Sequence, residues 1–470
     1  MQIQNTKNAP FGIKDKLGYL FGDFGNDFTF ILSSSFLLKF YTDVMHVSAG
    51  IVGIVMMLAR FIDAFTDVTM GRILDRSRPT RVGKFKPWIL RMCAPVAISS
   101  FLIYQTAFAN YALWFRVLWL FVTYILWGSI FYTTINIPYG AMASSISPEP
   151  SDRQSLSTFR SIGSVLAGVI VGAGIPLFAY DSELVDGVEI LRLSGTKFTI
   201  IAGIFSALAI LAYLVCYFLV TERVTVEKIE KHEMPSVTRL ISNSLKNRAL
   251  ISIIVASIIM LLSQFTLQQL ANYVFPDYYG NTAAQSASTL AMMVGMIVAA
   301  GTARPLSSKF GKAEISATSN LIAAVVLVIL FLVRPQNVWV YVGFSLFAWL
   351  GLGVFTMVSW ALITDVIDDA EIRHGIREDG SIYSLYSFSR KLGQAAAAGI
   401  TGLLLTLIGY NRTDGAGISQ SVRDGLFNAS TLVPAIGFAL LAAVLWFWYP
   451  LNKSRVQANV KILRERRGEK

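Results

Sequence analysis

Two aspartates in an apolar stretch are the residues of this sequence best suited to bind a cation. Asp63 and Asp67 are four residues apart, which places both carboxylates on one helix face, with Arg60 one turn earlier and Thr66 alongside. With Thr133 of a later stretch as a further oxygen ligand, they predict a site for a small cation or a shared proton. If the cation is Na⁺, Asp63 and Asp67 are its metal ligands. The alternative is a structural pair between Arg60 and Asp63, which leaves Asp67 without a partner.

A second polar pair is predicted to bind a polyhydroxylated ligand. Asp27 follows Gly25-Asn26 in the first apolar stretch, and Arg160 lies near the start of the fifth. A carboxylate accepts hydrogen bonds from adjacent sugar hydroxyls, and a planar guanidinium donates to them through two nitrogens. The pair therefore favours a sugar site, with Asn26 beside it. A salt bridge between two helices is an equally good interpretation of these two residues alone.

Neutral hydrogen-bonding side chains recur at helical spacing in two other stretches. Tyr132 and Asn136 flank Thr133, and Gln264, Gln268 and Asn272 form a stripe at every fourth residue. Such stripes suit a polyhydroxylated substrate better than an ion or a lipid. The alternative is that they only hydrogen-bond one membrane helix to another.

The second half of the chain adds aromatic and basic candidates. Trp360 or Tyr383 could stack on the apolar face of a sugar ring, and Ser387 and Lys391 follow Tyr383 at every fourth residue. Lys391, facing inward, would neutralise the acidic cation site when that site is empty. The alternatives are aromatic side chains that only pack or anchor, and a lysine that extends toward the cytoplasm.

Two clusters of charge in loops are interpreted as gates. Ionic locks that close the cytoplasmic side are expected from Asp75 and Arg76 in one loop and from Asp365, Asp368 and Arg373 after the tenth apolar stretch. Solvated loop charge is the default explanation for such residues.

Composition requires that these residues lie in membrane-spanning helices. Of 470 residues, 54% are hydrophobic and 15% are charged, and the mean hydropathy is +0.56. Because one span takes about 20 apolar residues, the chain can hold a dozen. Hydropathy predicts spans near residues 22–45, 49–70, 87–108, 113–141, 157–179, 198–220, 249–274, 284–303, 314–333, 338–363, 381–409 and 425–449. We therefore expect an all-α integral membrane protein.

The spans divide into two sets of six. The predicted parts are an N-terminal bundle (1–220), a cytoplasmic central loop (221–248), a C-terminal bundle (249–450) and a cytoplasmic tail (451–470). The basic segments 71–84 and 304–312 follow spans two and eight, which indicates two structural repeats around a central cavity. Lys and Arg collect in alternate loops and in both tails, so both termini are expected in the cytoplasm.

Several functional classes are excluded by what the sequence contains. The net charge of +11 is spread among apolar runs without a basic groove-binding motif, so nucleic acid is not an expected partner. Cys93 and Cys216 lie in apolar stretches and give no metal spacing. The three histidines, His46, His232 and His374, lie near span ends or in loops, and no nucleophile motif accompanies them. We expect no enzyme activity and no cofactor other than a co-transported ion.

Five segments resemble the glycoside–pentoside–hexuronide:cation symporters of the major facilitator superfamily, which include the melibiose permeases. They are Phe24-Gly-Asn-Asp-Phe28, Phe61-Ile-Asp-Ala-Phe-Thr-Asp67, Arg81-Val-Gly-Lys-Phe-Lys-Pro-Trp88, Ile137-Pro-Tyr139 and Tyr386-Ser-Phe-Ser-Arg-Lys-Leu-Gly-Gln394. The resemblance implies the major facilitator fold, a cation site at Asp63, Asp67 and Thr133, and sugar binding by Asp27 and Arg160. Thr66 stands where the sodium-coupled melibiose permeases have Asn. Asn26, Asn136 and Gly140 replace a Lys, an Asp and a Trp, so the sugar pocket differs.

The expected function is import of a glycoside or short oligosaccharide of the pentoside, hexuronide or galactoside class, by symport with Na⁺ or H⁺ and alternating access. The expected location is the cell membrane, and the expected partners are the glycoside, the coupling cation and the lipid bilayer. An alternative is a cation-coupled transporter of lipids, lysolipids or other amphiphiles in the same superfamily. A membrane-embedded hydrolase or sensor is the third hypothesis, and no motif in the sequence supports it.

Overall fold

The structure is a computed structural model that describes residues 10–185, 188–223, 247–374, 379–411 and 418–467. In the first half of the chain a π-helical segment, Leu126–Tyr132, joins the fourth helix to the fifth without a break. The helices there are α1 (Ile13–Asp43), α2 (Ala49–Arg76), α3 (Lys86–Ile103), α4 (Leu113–Ile125), α5 (Thr133–Ile146), α6 (Pro150–Phe178) and α7 (Gly195–Leu219). A short 3₁₀ turn, Thr106–Phe108, follows α3.

The second half repeats the pattern of long apolar helices. They are α8 (Arg248–Tyr273), α9 (Thr282–Phe310), α10 (Lys312–Val333), α11 (Val338–His374), α12 (Asp379–Ile408) and α13 (Gln420–Ala443), followed by the polar helix α14 (Lys453–Arg467). Two π-helical segments, Val274–Tyr278 and Val444–Trp448, extend α8 and α13.

A β-hairpin between α6 and α7 is the one feature here that an all-α prediction lacks. Strands β1 (Tyr180–Val185) and β2 (Val188–Leu193) pair antiparallel, with Tyr180 opposite Leu193. The Asp186-Gly187 dipeptide between them is a known hairpin signal, so the sequence did contain the information.

Membrane-spanning character follows from helix length and hydropathy. Eleven helical segments of the described residues are long and apolar enough to cross a membrane. The remaining predicted span, α1, has 31 residues but carries Asp23, Asp27, Lys39 and Asp43 along its length. Each of the other eleven predicted spans overlaps one of the eleven segments, and α4 and α5 together form the fourth span.

Helix α11 continues well past the predicted end of the tenth span at Ile363. The acidic residues after Ile363 predicted a loop, but two of these carboxylates have cationic partners in the structure. Asp365 lies 2.7 Å from the Lys312 Nζ, and Asp369 lies 2.7 Å from the Arg373 Nε. Because these carboxylates have cationic partners, the helix continues through them.

The described chain forms two compact units. The first comprises Met1–Glu230 with Leu405–Ile418, and the second comprises Lys231–Leu404 with Ser419–Lys470. The predicted boundaries at residues 220, 248 and 450 stay a prediction, and residues 224–246 of the predicted central loop lie outside the described residues.

A buried polar cluster attaches the segment Leu405–Ile418 to the rest of the first unit. The Lys39 Nζ lies 2.8 Å from an Asp43 carboxylate oxygen and donates to the Tyr410 hydroxyl at 2.8 Å. Tyr410 in turn donates to Asp43 at 2.9 Å. The charge of the fully buried Lys39 side chain is thereby compensated within α1.

Small residues allow close packing of α1 in the first unit, where α6 and α7 are its main neighbours. A Cβ atom at Gly22 would collide with the Tyr139 ring, and one at Gly163 would collide with the Leu20 carbonyl oxygen. Without a side chain at these positions the helix backbones can approach closely, as is common between membrane helices. This packing brings the acidic face of α1 against α6.

The loop before α3 is held by one buried carboxylate. Glu222 accepts hydrogen bonds from the backbone N–H groups of Lys84 (2.8 Å), Phe85 (2.9 Å) and Lys86 (2.8 Å). These groups open α3 and have no partner within the helix, so the carboxylate caps it. Gly83 has a φ of +124°, and a Cβ atom there would collide with Glu222. Part of the basic 2–3 loop therefore has a structural role.

We expect Glu222→Ala to destabilise the first unit by about 3 kcal/mol, because hydrogen bonds to a charged acceptor are worth roughly 1.5–3 kcal/mol. Cys93 and Cys216 are buried, so the reaction of a thiol-specific fluorophore during heating reports unfolding. Glu183→Ala is the control, since Glu183 is 53% exposed and its pair with Arg192 contributes little. Equal melting temperatures for the two variants would contradict the capping role.

Candidate functional site

Two acidic residues of α2 face two hydroxyl donors of the fourth span. Ser129, in the π-helical segment, donates to Asp63, and Thr133, at the start of α5, donates to the Asp67 Oδ1 at 2.9 Å. The two aspartates are four residues apart, as are the two donors. The two contacts therefore lie about one helical turn apart, between α2 and the fourth span. The sequence predicted Thr133 at this position but did not identify Ser129.

The structure also contains the Arg60–Asp63 pair. The Arg60 Nη1 lies 3.2 Å from the Asp63 Oδ2, one turn along the same helix. The sequence argument that this pair leaves Asp67 without a partner was wrong, because Thr133 donates to it. Thr66 donates to the Asp63 backbone carbonyl at 3.1 Å, and its predicted role as a cation ligand stays a prediction.

The chemistry available at this cluster is that of hard oxygen ligands. Two carboxylates and the hydroxyls of Ser129 and Thr133 converge here, which suits Na⁺ or a shared proton. In the described part of the chain, no group of three or more His, Cys, Asp or Glu side chains could hold a metal ion. A site formed by two carboxylates and neutral oxygens is compatible with that finding.

The second acidic pair lies on α1 and faces α6. The Arg160 Nε donates to the Asp23 Oδ1 at 2.9 Å, and Ser164 donates to Asp27. Asp23 and Asp27 are four residues apart, as are Arg160 and Ser164. The sequence prediction placed Asp27 and Arg160 at one site, and Asp27 lies close enough to Arg160 to interact with it electrostatically. The hydrogen-bond partner of Arg160 is Asp23, which the prediction did not name.

Arg160 is held in place and remains partly accessible. Its Cζ lies 5.4 Å from the centre of the Tyr139 ring, and that ring stacks on Tyr19 at 4.6 Å. The Arg160 side chain is 42% exposed, whereas Asp23 is 7% exposed. The exposed part of the guanidinium is therefore available to donate to ligand oxygens.

Asn26 lies between helices in this structure and does not face open space. It is 1% exposed and accepts a hydrogen bond from the Tyr213 hydroxyl at 2.8 Å. Its amide nitrogen donates to Asn136 at 3.4 Å. Because both ends of the Asn26 amide contact other side chains, its predicted direct contact with a sugar is corrected to a supporting position behind the half-buried Asn136.

Tyr132 connects the two acidic pairs. Its ring stacks on Phe30 at 5.8 Å, and the Arg60 Cζ lies 5.2 Å from the centre of the Phe30 ring. Tyr132 interacts electrostatically with Asp27 and Arg160 of one pair and with Arg60 of the other. Tyr132 thus lies near the predicted sugar residues Asp27 and Arg160 and near Arg60, the partner of Asp63.

The polar stripe of α8 is partly used in packing. Asn272 is 2% exposed and accepts from Gln285 of α9 at 2.6 Å. The Gln268 Nε2 lies 3.5 Å from the Met292 sulfur, and Gln264 is half-buried. Gln264 and Gln268 keep their predicted role as a proposal, and Asn272 contributes to the contact between α8 and α9.

An aromatic and basic cluster lies on α11 and α12 of the second unit. The Trp360 ring, 41% exposed, meets the Tyr386 ring edge-on at 5.1 Å, and Ser257 of α8 donates to the Tyr386 hydroxyl at 2.9 Å. The Arg390 Cζ lies 5.6 Å from the centre of the Trp360 ring. Ser387 and Lys391 are half-buried on the same helix. The side chain of Tyr383 lies outside the described residues.

The residues predicted as gates pair mainly within their own unit. Asp365 pairs with Lys312, and Arg373 pairs with Asp369, which also accepts from Asn459 of α14 at 3.1 Å. Arg76 is exposed, Asp368 is half-buried, and the Asp75 side chain lies outside the described residues. These pairs attach α10 and α14 to α11, and a role as locks stays a prediction.

Four polar residues of these clusters were missed by sequence reasoning: Asp23, Ser129, Ser164 and Arg390. A spacing signal existed for three of them. Asp23 precedes Asp27 by four residues, as Asp63 precedes Asp67, and the two serines lie four residues from Thr133 and Arg160. Arg390 stands inside a quoted motif next to Lys391, and its importance depends on its partners, which the sequence does not give.

With this geometry established, comparison with known proteins gives the family. A family model described as MFS/sugar transport protein matches residues 18–453. The chain belongs to this family. Its members are membrane transporters, so the predicted transporter class and the resemblance to glycoside–pentoside–hexuronide:cation symporters are confirmed.

Individual relatives match over nearly the whole chain. The glucuronide carrier protein homolog of Escherichia coli (strain K12) is 28% identical and aligns with 95% of this chain and 94% of its own length. The isoprimeverose transporter of Lactiplantibacillus pentosus is 28% identical, with 92% and 88% covered. Among solved structures, this chain superposes on a bacterial homolog of the human lysosomal transporter Spinster in its inward-facing and unoccupied conformation. The TM-score is 0.67 at 11% identity, and the superposition covers 97% of this chain and 99% of the other. The predicted twelve-helix major facilitator fold is confirmed.

If Thr133 is an oxygen ligand of a bound Na⁺, Thr133→Ala should weaken Na⁺ binding about tenfold, the effect of losing one contact to a charged group. Thr134→Ala is the matched control, because the Thr134 hydroxyl donates to the Ile130 carbonyl and does not contact either aspartate. Titration calorimetry of Na⁺ into the purified protein measures both. Indistinguishable Na⁺ affinities for the two variants would remove Thr133 from the site.

Proposed function

We propose that this transporter imports a glycoside or short oligosaccharide by symport with Na⁺ or H⁺. The observation that carries the proposal is the pair of acidic clusters in the first unit, one rich in oxygen ligands and one containing a partly exposed Arg160. The family description and the names of the glucuronide and isoprimeverose relatives support a sugar as substrate. Their names include acidic and neutral sugars, so they leave the substrate class open.

The sugar part of the proposal rests on the donors and acceptors around Arg160. Its guanidinium offers several N–H groups in one plane, and the Asp23 and Asp27 carboxylates beside it accept from hydroxyls. Sugars present adjacent hydroxyls that both donate and accept, so this pattern complements them. Asn136 of α5 adds a neutral amide.

The cation part rests on Asp63 and Asp67. Carboxylates inside a membrane helix are costly unless they are paired or hydrated, and Thr133 and Ser129 satisfy only part of their capacity. A bound cation or proton would complete the set. Since Ser129 and Thr133 add neutral oxygens without further charge, a monovalent ion fits this site.

Coupling follows from shared elements. α1 carries Asp23 and Asp27 of the sugar cluster, and its Phe30 stacks on Tyr132 of the fourth span. The fourth span also carries Thr133 of the cation cluster and Asn136 of the sugar cluster. The fourth span therefore contributes to both clusters and contacts α1 directly. Cation binding at Asp63 and Asp67 changes the field around Arg60 and Tyr132, and thereby the sugar residues beside them. Binding of one ligand must then alter the affinity for the other by the same factor.

The proposed setting is the plasma membrane, with both termini in the cytoplasm. The excess of Lys and Arg in alternate loops and in both tails supports this orientation under the positive-inside rule. The basic helix α14, at the cytoplasmic end of α11 in this orientation, fits it.

The test is uptake into proteoliposomes with an imposed Na⁺ gradient or pH gradient, using labelled methyl glycosides of glucose, galactose, xylose and glucuronic acid. We expect one gradient to drive accumulation of at least one glycoside. Absence of uptake with every glycoside under both gradients, together with specific binding of a lysolipid, would favour the amphiphile alternative.

In the same assay Asp63→Asn and Asp67→Asn should abolish accumulation against a gradient, because the coupling ion has lost a carboxylate. Exchange of labelled for unlabelled glycoside should persist in at least one of the two variants, since the sugar residues are unchanged. Asp181→Asn, on the exposed β-hairpin, is the control that should accumulate sugar normally. Full accumulation by both site variants would remove the cation assignment.

A further inference from the structure

We propose that Arg60 competes with the coupling cation for Asp63. Its guanidinium neutralises Asp63 while the cation site is unloaded, and a bound cation displaces it toward three buried hydroxyls, those of Ser33, Tyr104 and Tyr124. This inference rests on the proposed function, since it concerns the regulation of the same cation site. It starts from a cationic side chain of α2 that interacts with a carboxylate and with a buried hydroxyl at the same time.

Arg60 holds one of the oxygens that a cation would use. Its Nη1 lies 3.2 Å from the Asp63 Oδ2, while Ser129 donates to the Oδ1 of the same carboxylate. A cation bound by Asp63 and Asp67 would lie beside this guanidinium. Because like charges repel strongly in surroundings of low dielectric constant, the two cations disfavour each other at Asp63.

Three buried hydroxyls on neighbouring helices can receive the displaced guanidinium. Ser33 of α1, Tyr104 directly after α3 and Tyr124 of α4 are each at most 2% exposed. Ser33 lies close to both tyrosine hydroxyls, and Tyr124 interacts with Arg60. Among the described residues, none of the three hydroxyl oxygens has a partner in hydrogen-bond geometry. Since a hydroxyl oxygen accepts from N–H donors, the three together match a guanidinium.

The displacement requires only rotation of the Arg60 side chain, because the guanidinium already interacts with the Tyr124 hydroxyl while it pairs with Asp63. The Arg60 Cζ also lies 5.2 Å from the centre of the Phe30 ring. Phe30 is three residues from Asp27 on α1. A move of Arg60 therefore changes a contact of the helix that carries the sugar residues, which links cation binding to that helix.

A structural role and a competing role for Arg60 predict opposite effects of its removal. If the guanidinium only positions Asp63 for the cation, its loss weakens cation binding. If the guanidinium competes, its loss strengthens cation binding, because the apparent affinity falls with the fraction of protein in which the site is not free to bind. The sign of the change in affinity therefore separates the two roles.

The first test is titration calorimetry of Na⁺ into the purified full-length protein without sugar. We expect Arg60→Gln to bind Na⁺ about tenfold or more tighter than the wild type does, as when one opposing charge contact is removed. Arg72→Gln, at an exposed position further along α2, is the matched control and should bind Na⁺ as the wild type does. Equal or weaker Na⁺ binding by Arg60→Gln, or no Na⁺ binding by either protein, overturns the inference.

The second test asks whether the hydroxyls receive Arg60. Tyr124→Phe should weaken Na⁺ binding about threefold in the wild type, the effect of one lost hydrogen bond, because the displaced guanidinium loses an acceptor. It should have no effect in the Arg60→Gln background. Tyr111→Phe, at a tyrosine that is 53% exposed, is the control. Equal weakening in both backgrounds, as expected if the hydroxyls only hold an internal water, overturns the inference.

Two safeguards keep the tests decisive. If Arg60→Gln does not fold, Arg60→Met replaces it, and the comparison of Tyr124→Phe with the wild type needs no Arg60 variant. An unchanged Na⁺ affinity in Tyr124→Phe also overturns the inference. Each of these failures leaves the sugar symporter in place, whereas absence of glycoside uptake into proteoliposomes under both gradients overturns the proposed function itself.

Discussion

The apolar surroundings of the membrane helices require each charged side chain in a span to have a partner, and this constraint organises the protein. In the first unit, the same arrangement satisfies this constraint twice: two aspartates one turn apart face two donors one turn apart on a neighbouring helix. Asp63 and Asp67 meet Ser129 and Thr133, and Asp23 and Asp27 meet Arg160 and Ser164. Helix periodicity makes each pair converge, and close packing at glycine brings α1 and α6 together.

Charge is distributed unequally between the units. Acidic residues dominate the clusters of the first unit, while the cluster on α11 and α12 is basic and aromatic, with Arg390 over Trp360.

Sequence reasoning identified the spans, the acidic pair on α2 and Thr133, because hydropathy and four-residue spacing are local properties. It failed where the answer depends on how two helices are rotated against each other. Which aspartate hydrogen-bonds Arg160 depends on the rotation of α6 against α1. The burial of Asn26 depends on Tyr213, far along the chain, and α11 runs past Ile363 because distant cations pair with its acidic residues. Arg390 was not singled out because its contact with Trp360 depends on how α12 packs against α11.

The central claim is that the ion site at Asp63 and Asp67 and the sugar site at Asp27 and Arg160 are coupled through shared helices. The most direct measurement is a pair of calorimetric titrations: sugar affinity with and without the coupling ion, and ion affinity with and without sugar. The account predicts that each ligand strengthens the other by the same factor and that Asp67→Asn abolishes that factor. Affinities that do not depend on the other ligand, or a factor that persists in Asp67→Asn, would contradict it.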